Sequence, residues 1–245
     1  MIVDASYELP IAYKVTRASR PDIKEMLPLI KGIKRAYPEV EIDTLSGDKA
    51  YDSRKELKSL WDDYMIKPVI DIRNQWKDGE ETHPLFPDRI DNIVYDYKGT
   101  VYCHPPATSD HYEMAFCGLE KDRNTLKYRC PAAAYGLSCT NRDQCGSNTP
   151  FGRIVRIPLE IDRRIFTPIA RSSYRWKNIY AGRTAVERVN SRIDHTNGFE
   201  HHFIRGKAKM TLKAGLALVV MLSMALARIR HNQKEMMCSL VAKVA

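Results

Sequence analysis

Three polar residues in the last third of the chain have types and spacings suited to binding a cation or a phosphate. Tyr180, Arg183 and Glu187 are separated by three and four positions, which places their side chains on one face of a helix. Val189 and Ile193 favour this helix because they recur at helical spacing. A carboxylate beside a guanidinium and a phenol can hold a cation near a phosphate. The alternative is an exposed ion pair between Glu187 and Arg183 that binds no ligand.

A second polar stretch, GDKAYDS, occupies positions 47–53. It follows the apolar segment 40–45, which predicts a strand, so Asp48 is expected at the end of that strand. Carboxylate oxygens are the ligands that Mg²⁺ prefers in proteins. Asp48 is therefore a second candidate for cation binding, far from Glu187 in the sequence.

Together the two stretches resemble the DDE transposases of bacterial insertion sequences. The family motif D-x-x-Y-D-S is matched by Asp48, Tyr51, Asp52 and Ser53. The motif Y-x-x-R-x-x-x-E-x-x-x-x-x-x-K is matched by Tyr180, Arg183 and Glu187, with Asp194 at the lysine position. The resemblance extends to residues 1–22 and to the apolar stretch 212–230, and it covers the middle of the chain loosely.

This resemblance implies a metal-dependent phosphoryl transfer on DNA, in which carboxylates hold two Mg²⁺ or Mn²⁺ ions. Asp48 and Glu187 would be the catalytic metal ligands, and Tyr180 and Arg183 would contact the scissile phosphate. Further contacts to DNA are expected from Arg188, Arg192, Arg205, Lys207 and Lys209. The implied partners are double-stranded DNA, at transposon ends and target, and a second subunit of a homodimer in the intact enzyme. The implied location is the bacterial cytoplasm, at the nucleoid.

The resemblance also places the family's first catalytic Asp on a strand that would precede Met1. We therefore expect the chain to be the C-terminal part of such a transposase, N-terminally truncated and inactive in transposition by itself. Asp4 is an alternative first acid, but its position before a hairpin turn favours hydrogen bonds to nearby backbone N–H groups. Two other functions stay open: a DNA-binding remnant without catalysis, and a zinc-stabilised interaction protein.

The positive charge of the chain is concentrated in its last third. The chain has 245 residues, is 44% hydrophobic and carries a net charge of +9. Residues 163–245 contain 16 Lys and Arg against 4 Asp and Glu, a net of +12, whereas residues 1–162 have a net of −3. This asymmetry favours a polyanionic partner such as DNA, although a basic surface without a partner has the same composition.

Hydropathy and motifs predict an α/β protein without a membrane span. The apolar run 214–227 has 14 residues, shorter than the roughly 20 that cross a bilayer, so we expect a buried helix there. No N-terminal signal sequence is visible. Strands at 1–6, 9–16, 40–45 and 66–72, with helices at 21–37 and from 53, predict a mixed sheet flanked by helices. The resemblance identifies this arrangement as ribonuclease H-like.

The segment between the two motifs has the composition of an insertion. We expect residues 1–73 to form the first part of the catalytic core and 162–245 the last, with a β-rich, cysteine-containing insertion at 74–161. Cys130, Cys139 and Cys145, with Cys103 or Cys117 as a fourth ligand, are candidates for a structural Zn²⁺ site, and His104 is a further candidate ligand. No C-x-x-C pair is present, so buried thiols without a metal are the alternative.

Overall fold

The computed structural model describes residues 1–88, 91–104, 111–139, 145 and 149–237. They form two compact units, one of Met1–Glu41 with Ala181–Ala245 and one of Ile42–Tyr180. We refer to these as the first and the second unit. The predicted boundaries at 73/74 and 161/162 separate a catalytic core from an insertion, which is a different division, and they stay a prediction.

The elements alternate between short strands and helices along the chain. The strands are β1 (Ile2–Asp4), β2 (Leu9–Ala12), β3 (Thr44–Gly47), β4 (Lys67–Ile70), β5 (His83–Pro84), β6 (Ile93–Tyr95), β7 (Val101–Cys103), β8 (Tyr112–Glu113), β9 (Ala115–Glu120), β10 (Thr125–Arg129) and β11 (Ile154–Pro158). The helices are α1 (Ile23–Ala36), α2 (Arg54–Asp62), α3 (Pro131–Tyr135), α4 (Tyr174–Ala181), α5 (Ala185–Thr196) and α6 (Lys207–Arg230). The predicted order β-β-α-β-α-β is thus confirmed for the first 72 residues.

The first unit combines a hairpin with three helices. β1 and β2 pair antiparallel, and α1, α5 and α6 each contact one of these strands. Val189 of α5 packs with Leu218 and Met221 of α6, and Met1 and Val3 lie against them. The apolar residues that were predicted to lie on one side of the Glu187 helix therefore face the core of this unit.

Helix α6 departs from the prediction of a buried helix. Four of its residues are buried, namely Ala217, Leu218, Met221 and Ala225. Larger apolar side chains on its other faces are exposed, including Leu216 at 59% and Val219 at 59%. By length and composition alone α6 would be able to cross a membrane, a test that core helices of soluble proteins also pass. The uncharged run in α6 predicted a helix. It did not predict how much of the helix surface other segments cover.

The second unit contains a β-α-β arrangement that leads directly to the candidate site. β3 and β4 pair in parallel, with Gly47 opposite Ile70, and α2 connects them. Leu57, Leu60 and Trp61 form the buried face of α2, as their spacing predicts. Parallel neighbours joined by a helix bring their carboxyl ends to the same edge of the sheet.

The predicted β-rich character of residues 74–161 is confirmed, because their strands form two antiparallel sheets. One has the order β5-β6-β7-β8 and the other β11-β10-β9. Their apolar side chains share a core with residues that precede and follow the insertion, such as Trp61 and Phe166. The architecture is therefore mixed α/β with several small sheets, consistent with a ribonuclease H-like domain.

Candidate active site

Asp48 lies immediately after β3, at the carboxyl end of the parallel pair. Its side chain is exposed, and Oδ1 accepts a hydrogen bond of 2.8 Å from the Ala50 backbone N–H. Oδ2 accepts no hydrogen bond from any described residue. A Cβ on Gly47 would lie 3.1 Å from the Tyr51 ring, so glycine permits Tyr51 to fold back against the strand end. The motif residues thus present one carboxylate oxygen to solvent on a tight turn.

Asp52, four residues further, anchors this turn to the rest of the second unit. Its carboxylate is 1% exposed and accepts two hydrogen bonds from Arg164, at 2.7 Å to Oδ1 and 2.8 Å to Oδ2. The Arg73 backbone N–H donates a third, at 2.9 Å. A buried, bidentate pair of this kind holds both partners in one geometry. Asp52 is therefore a positioning residue for the turn that carries Asp48.

Arg171 ties the end of β4 to the segment that contains Arg164. Its buried guanidinium donates to the backbone carbonyls of Ile70 at 3.1 Å, Ile165 at 2.6 Å and Arg164 at 2.9 Å. Burial lowers the pKa of Arg171 to about 10, and the carboxylates of Asp52 and Asp71 oppose that change. The guanidinium consequently stays charged at neutral pH and binds the carbonyl group of the last residue of β4.

Asp71 is a neighbour of Asp48 that sequence reasoning missed. Because Gly47 pairs with Ile70, Asp48 and Asp71 follow opposite residues on adjacent strands. The ammonium of Lys49 lies 3.2 Å from Asp71 Oδ2, and this hydrogen bond raises the pKa of Lys49. The sequence contained a signal that could have identified Asp71. It is an acid directly after strand β4, at the edge of a parallel sheet where α/β proteins commonly bind ligands.

Tyr180 belongs to α4 and to the second unit. Its ring stacks on Trp176, with centroids 4.5 Å apart and planes 14° from parallel. Both rings pack against Val69 of β4 and Ile169. This packing fixes the position of Tyr180 relative to the strand that neighbours β3.

Glu187 lies in the first turn of α5, after a break that corrects the predicted helix. The prediction placed Tyr180, Arg183 and Glu187 on one continuous helix, whereas α4 ends at Ala181 and a 3₁₀ turn covers Gly182–Thr184. Glycine has a low helix propensity, which accounts for the interruption. Arg183 Nη1 lies 2.7 Å from Glu187 Oε1, and the Glu187 side chain is 60% exposed. The ion pair of the alternative interpretation is thus present, with the carboxylate still accessible.

Asp48 and Glu187 belong to different units, the second and the first respectively. Their approach to a shared cation stays a prediction.

The candidate DNA contacts of the Glu187 helix are engaged within the first unit. Arg188 and Arg192 both form ion pairs with Glu8, which lies between β1 and β2. Arg192 also donates to the Glu8 backbone carbonyl at 2.6 Å and is 17% exposed. These contacts join α5 to the β1–β2 hairpin. Both arginines therefore have a structural role in addition to the DNA contact expected of them.

The basic residues before and at the start of α6 have a different environment. Arg205, Lys207 and Lys209 are all exposed, and none forms an ion pair with a residue that the structure describes. We call these three residues the basic strip. Of the predicted DNA contacts, they are the ones with fully accessible charge.

Asp4 behaves as the hairpin position predicts. Its Oδ1 accepts hydrogen bonds from the backbone N–H groups of Ser6 at 3.0 Å and Tyr7 at 2.7 Å. The expectation that Asp4 satisfies local backbone donors is confirmed.

The five described cysteines form no disulfide bond. Within the described ranges, no group of three or more His, Cys, Asp or Glu side chains is arranged to hold a metal ion. Burial, together with the smaller effects of the Cys130, Cys139 and Cys145 thiols, raises the pKa of Cys103 to about 11, and the Arg153 guanidinium opposes this change. The predicted zinc ligands are therefore neighbours without forming a coordination shell.

The family to which the chain belongs follows from its match to a protein-family model. The family model described as "Transposase DDE domain" matches residues 1–222. The chain belongs to the DDE transposase domain family. No curated protein and no solved structure gives a significant match to the chain. The match includes Asp48, Tyr180, Arg183 and Glu187, so all four candidate residues lie inside the DDE transposase domain, and the role of the protein is in DNA transposition.

Proposed function

We propose that this DDE transposase domain serves metal-dependent phosphoryl transfer, the cleavage and joining of DNA strands, in the intact enzyme, and that the chain by itself is inactive in transposition. The observation that supports it most directly is the exposed Asp48 carboxylate on a turn held in place by the buried Asp52–Arg164 pair. Catalysis of phosphoryl transfer depends on positioning and charge stabilisation, which need carboxylates in fixed places.

Asp48 and Glu187 fit a divalent metal by their chemistry. Each carboxylate has one oxygen engaged with a protein donor, the Ala50 N–H or Arg183, and each side chain is exposed. Hard oxygen donors of this kind suit Mg²⁺ or Mn²⁺. When bound, the metal would lower the pKa of a water or a DNA 3′-hydroxyl and stabilise charge on the leaving oxygen.

The remaining residues of the site would bind and orient DNA. Arg183 would neutralise a phosphate oxygen near Glu187, exchanging part of its ion pair with the carboxylate for the phosphate. Tyr180, held against Trp176, would contact a phosphate of the DNA through its hydroxyl. The second copy expected in the intact enzyme has an available surface in the exposed apolar side chains of α6. Light scattering would show a mass that stays at the 28.2 kDa of one chain at all concentrations if no such association occurs.

Replacement of either carboxylate tests the proposal. In the intact enzyme, Asp48→Asn and Glu187→Gln should each lower Mn²⁺-dependent cleavage of the element's terminal DNA by more than about 100-fold, since a metal ligand is lost in each. Both should also weaken Mn²⁺ binding, which calorimetry measures without any need for activity. Asp194→Asn, an exposed acid on the same helix α5 as Glu187, is the matched control and should leave both quantities unchanged. Wild-type cleavage and Mn²⁺ affinity in Asp48→Asn would exclude the proposed site.

A further inference from the structure

Phe203, in the irregular segment between α5 and α6, has its aromatic ring in solvent. It is 98% exposed, the highest value among the large hydrophobic residues that the structure describes. The next most exposed aromatic residue, Tyr174 at 78%, has a hydroxyl that water can hydrogen-bond. A phenylalanine ring has no polar atom, so its burial against a partner releases free energy. Single exposed apolar side chains are common on protein surfaces, and the surroundings of Phe203 therefore decide what its exposure means.

Contacts of its neighbours set the position of Phe203. The Ile204 backbone N–H donates to Nδ1 of His202 at 3.2 Å. The His202 ring meets the Phe199 ring edge-on, with centroids 6.2 Å apart. Lys213 of α6 lies 4.5 Å from the centroid of the Phe199 ring, a cation–π contact. These contacts tie the segment on both sides of Phe203 to the first unit, and the Phe203 ring takes no part in them.

Exposure alternates along this segment. His202 and Ile204 are half-buried, whereas Phe203 and Arg205 are exposed. The half-buried side chains are turned toward the protein, so the aromatic ring and the Arg205 guanidinium both face solvent. Arg205 is the first residue of the basic strip, whose other two members follow at the start of α6. An exposed aromatic ring therefore lies next to accessible positive charge.

The charge around Phe203 indicates which kind of partner would cover the ring. Residues 199–213 contain four Lys and Arg against one acid, Glu200, a net of +3. Oε2 of Glu200 lies 3.1 Å from Nδ1 of His195, on α5, so this acid is engaged away from the basic strip. A second copy of the chain would bring the same positive charge to the surface, whereas a nucleic acid brings phosphates. Charge complementarity therefore favours DNA as the occupant.

We propose that Phe203 stacks on an unpaired nucleobase of DNA whose neighbouring phosphates contact the basic strip. This inference rests on the proposed function in taking DNA as the partner, and it adds a contact to a base. Every nucleobase has a π-face, so stacking on an aromatic ring requires no particular sequence. A base inside an intact duplex is already stacked and paired, so extracting it costs free energy. The contact therefore favours DNA that has a single-stranded or mispaired position.

The affinity of the whole chain for DNA tests the proposal without a divalent metal. Fluorescence anisotropy in the presence of EDTA compares a single-stranded oligonucleotide with the matching, fully paired duplex. Phe203→Ala should weaken binding to the single strand by about 5- to 100-fold and change binding to the duplex far less. The loss should be the same at every salt concentration, because the ring carries no charge. Equal affinity of Phe203→Ala and the wild-type chain for the single strand would overturn the proposal.

Three further variants separate stacking from other causes. Phe203→Trp should retain the affinity for the single strand, since it keeps an aromatic ring, whereas Phe203→Leu should lose most of it. Tyr174→Ala is the matched control, because it removes an exposed aromatic side chain of α4 in the second unit, and it should bind like the wild-type chain. Full affinity in Phe203→Leu would contradict stacking. Circular dichroism should show the same fold in all variants.

A photochemical cross-link locates the contact. Single-stranded oligonucleotides that contain iodouracil, irradiated with the wild-type chain, should form an adduct at Phe203, which mass spectrometry identifies in the tryptic peptide ending at Arg205. Adducts at other peptides alone would overturn the proposal. A change of molecular mass in Phe203→Ala with unchanged DNA affinity would assign the ring to contact between copies instead. Mn²⁺ binding at Asp48 and Glu187 is measured separately, so failure of the metal site and failure of the base contact are distinguishable.

Discussion

The pair of Asp52 and Arg164 gives one acid of the motif a structural role inside the second unit. Asp52 belongs to the same motif as Asp48, yet its carboxylate is directed into the protein and binds a guanidinium 112 positions later. The motif therefore contains one buried acid that fixes the turn and one exposed acid, Asp48, which we propose as the metal ligand.

Arg164→Ala should destabilise the protein strongly. Removal of one partner leaves a buried charge uncompensated, which costs about 3–5 kcal/mol in unfolding free energy. Urea titration followed by circular dichroism measures this loss. Arg156→Ala breaks an exposed pair with Glu120 and should cost far less. Equal losses in the two variants would show that the Asp52–Arg164 pair has no special structural role.

Glu25 gives the first unit a defined response to acid. Its carboxylate is 7% exposed and pairs with Lys14 and Arg20. The hydrogen bond from Lys14 lowers the pKa of Glu25 below its ordinary value of 4.5, although burial opposes this. A lowered pKa in the folded state adds stability at pH values above 4.5, and that stability is lost as the pH falls through the folded-state pKa.

Glu25→Gln should accordingly lower the unfolding free energy at pH 7 and have a smaller effect at pH 3. Denaturation curves of both proteins over this pH range measure the difference. A difference that does not depend on pH would mean that the charge of Glu25 contributes nothing to folding.

At the scale of elements, hydrophobic spacing was sufficient to predict the order of strands and helices in the first 72 residues. The apolar positions of α1 and α2 recur at helical spacing, and the structure buries them. Spacing was insufficient where several helical faces are apolar. The run in α6 gave no indication that Leu216 and Val219 are exposed, because exposure depends on which other segments pack against the helix.

The candidate site was predictable only in its motif residues. Asp48 and Glu187 were found because they occur in recognisable local patterns, and Asp4 because a hairpin turn has defined hydrogen-bond requirements. The contacts of Arg164 and Arg171 could not be predicted, since their partners are 91 to 112 positions away. The break at Gly182 had a local signal, the low helix propensity of glycine, which the surrounding helical spacing obscured.

The basic strip at the start of α6 makes a prediction about DNA affinity. The logarithm of DNA affinity falls linearly with the logarithm of the salt concentration. Each contact between a cation and a phosphate of duplex DNA makes this slope more negative by about 0.9. Charge reversal of Arg205, Lys207 and Lys209 to Glu should therefore flatten that slope, which fluorescence anisotropy measures.

The control for the basic strip is charge reversal of Lys24, Lys31 and Arg35, three exposed cations of α1 in the same unit. It changes the net charge by the same amount at another surface. If both triple variants flatten the slope equally, overall charge determines binding and the basic strip is not the contact surface.

At the scale of the molecule, positive charge follows the division into units. The first unit has 18 Lys and Arg against 10 Asp and Glu, a net of +8, whereas the second has 21 against 20. Long-range attraction of a polyanion therefore acts mainly on the first unit, which contains Glu187 and the basic strip. The second unit, which contains Asp48, contributes little to that attraction.

The first unit is built from two segments that flank the second unit in the sequence, and this has a consequence for synthesis on the ribosome. The hairpin and α1 emerge before the second unit, but α5 and α6, which cover them, follow only after the 139 residues of Ile42–Tyr180. At about 5–20 residues per second, the early segment waits roughly 7–28 s for its partners. During that interval the second unit can fold while the hairpin stays sensitive to proteases. Protease digestion of ribosome-bound chains of increasing length would show whether residues 1–41 become protected only after α6 has been made.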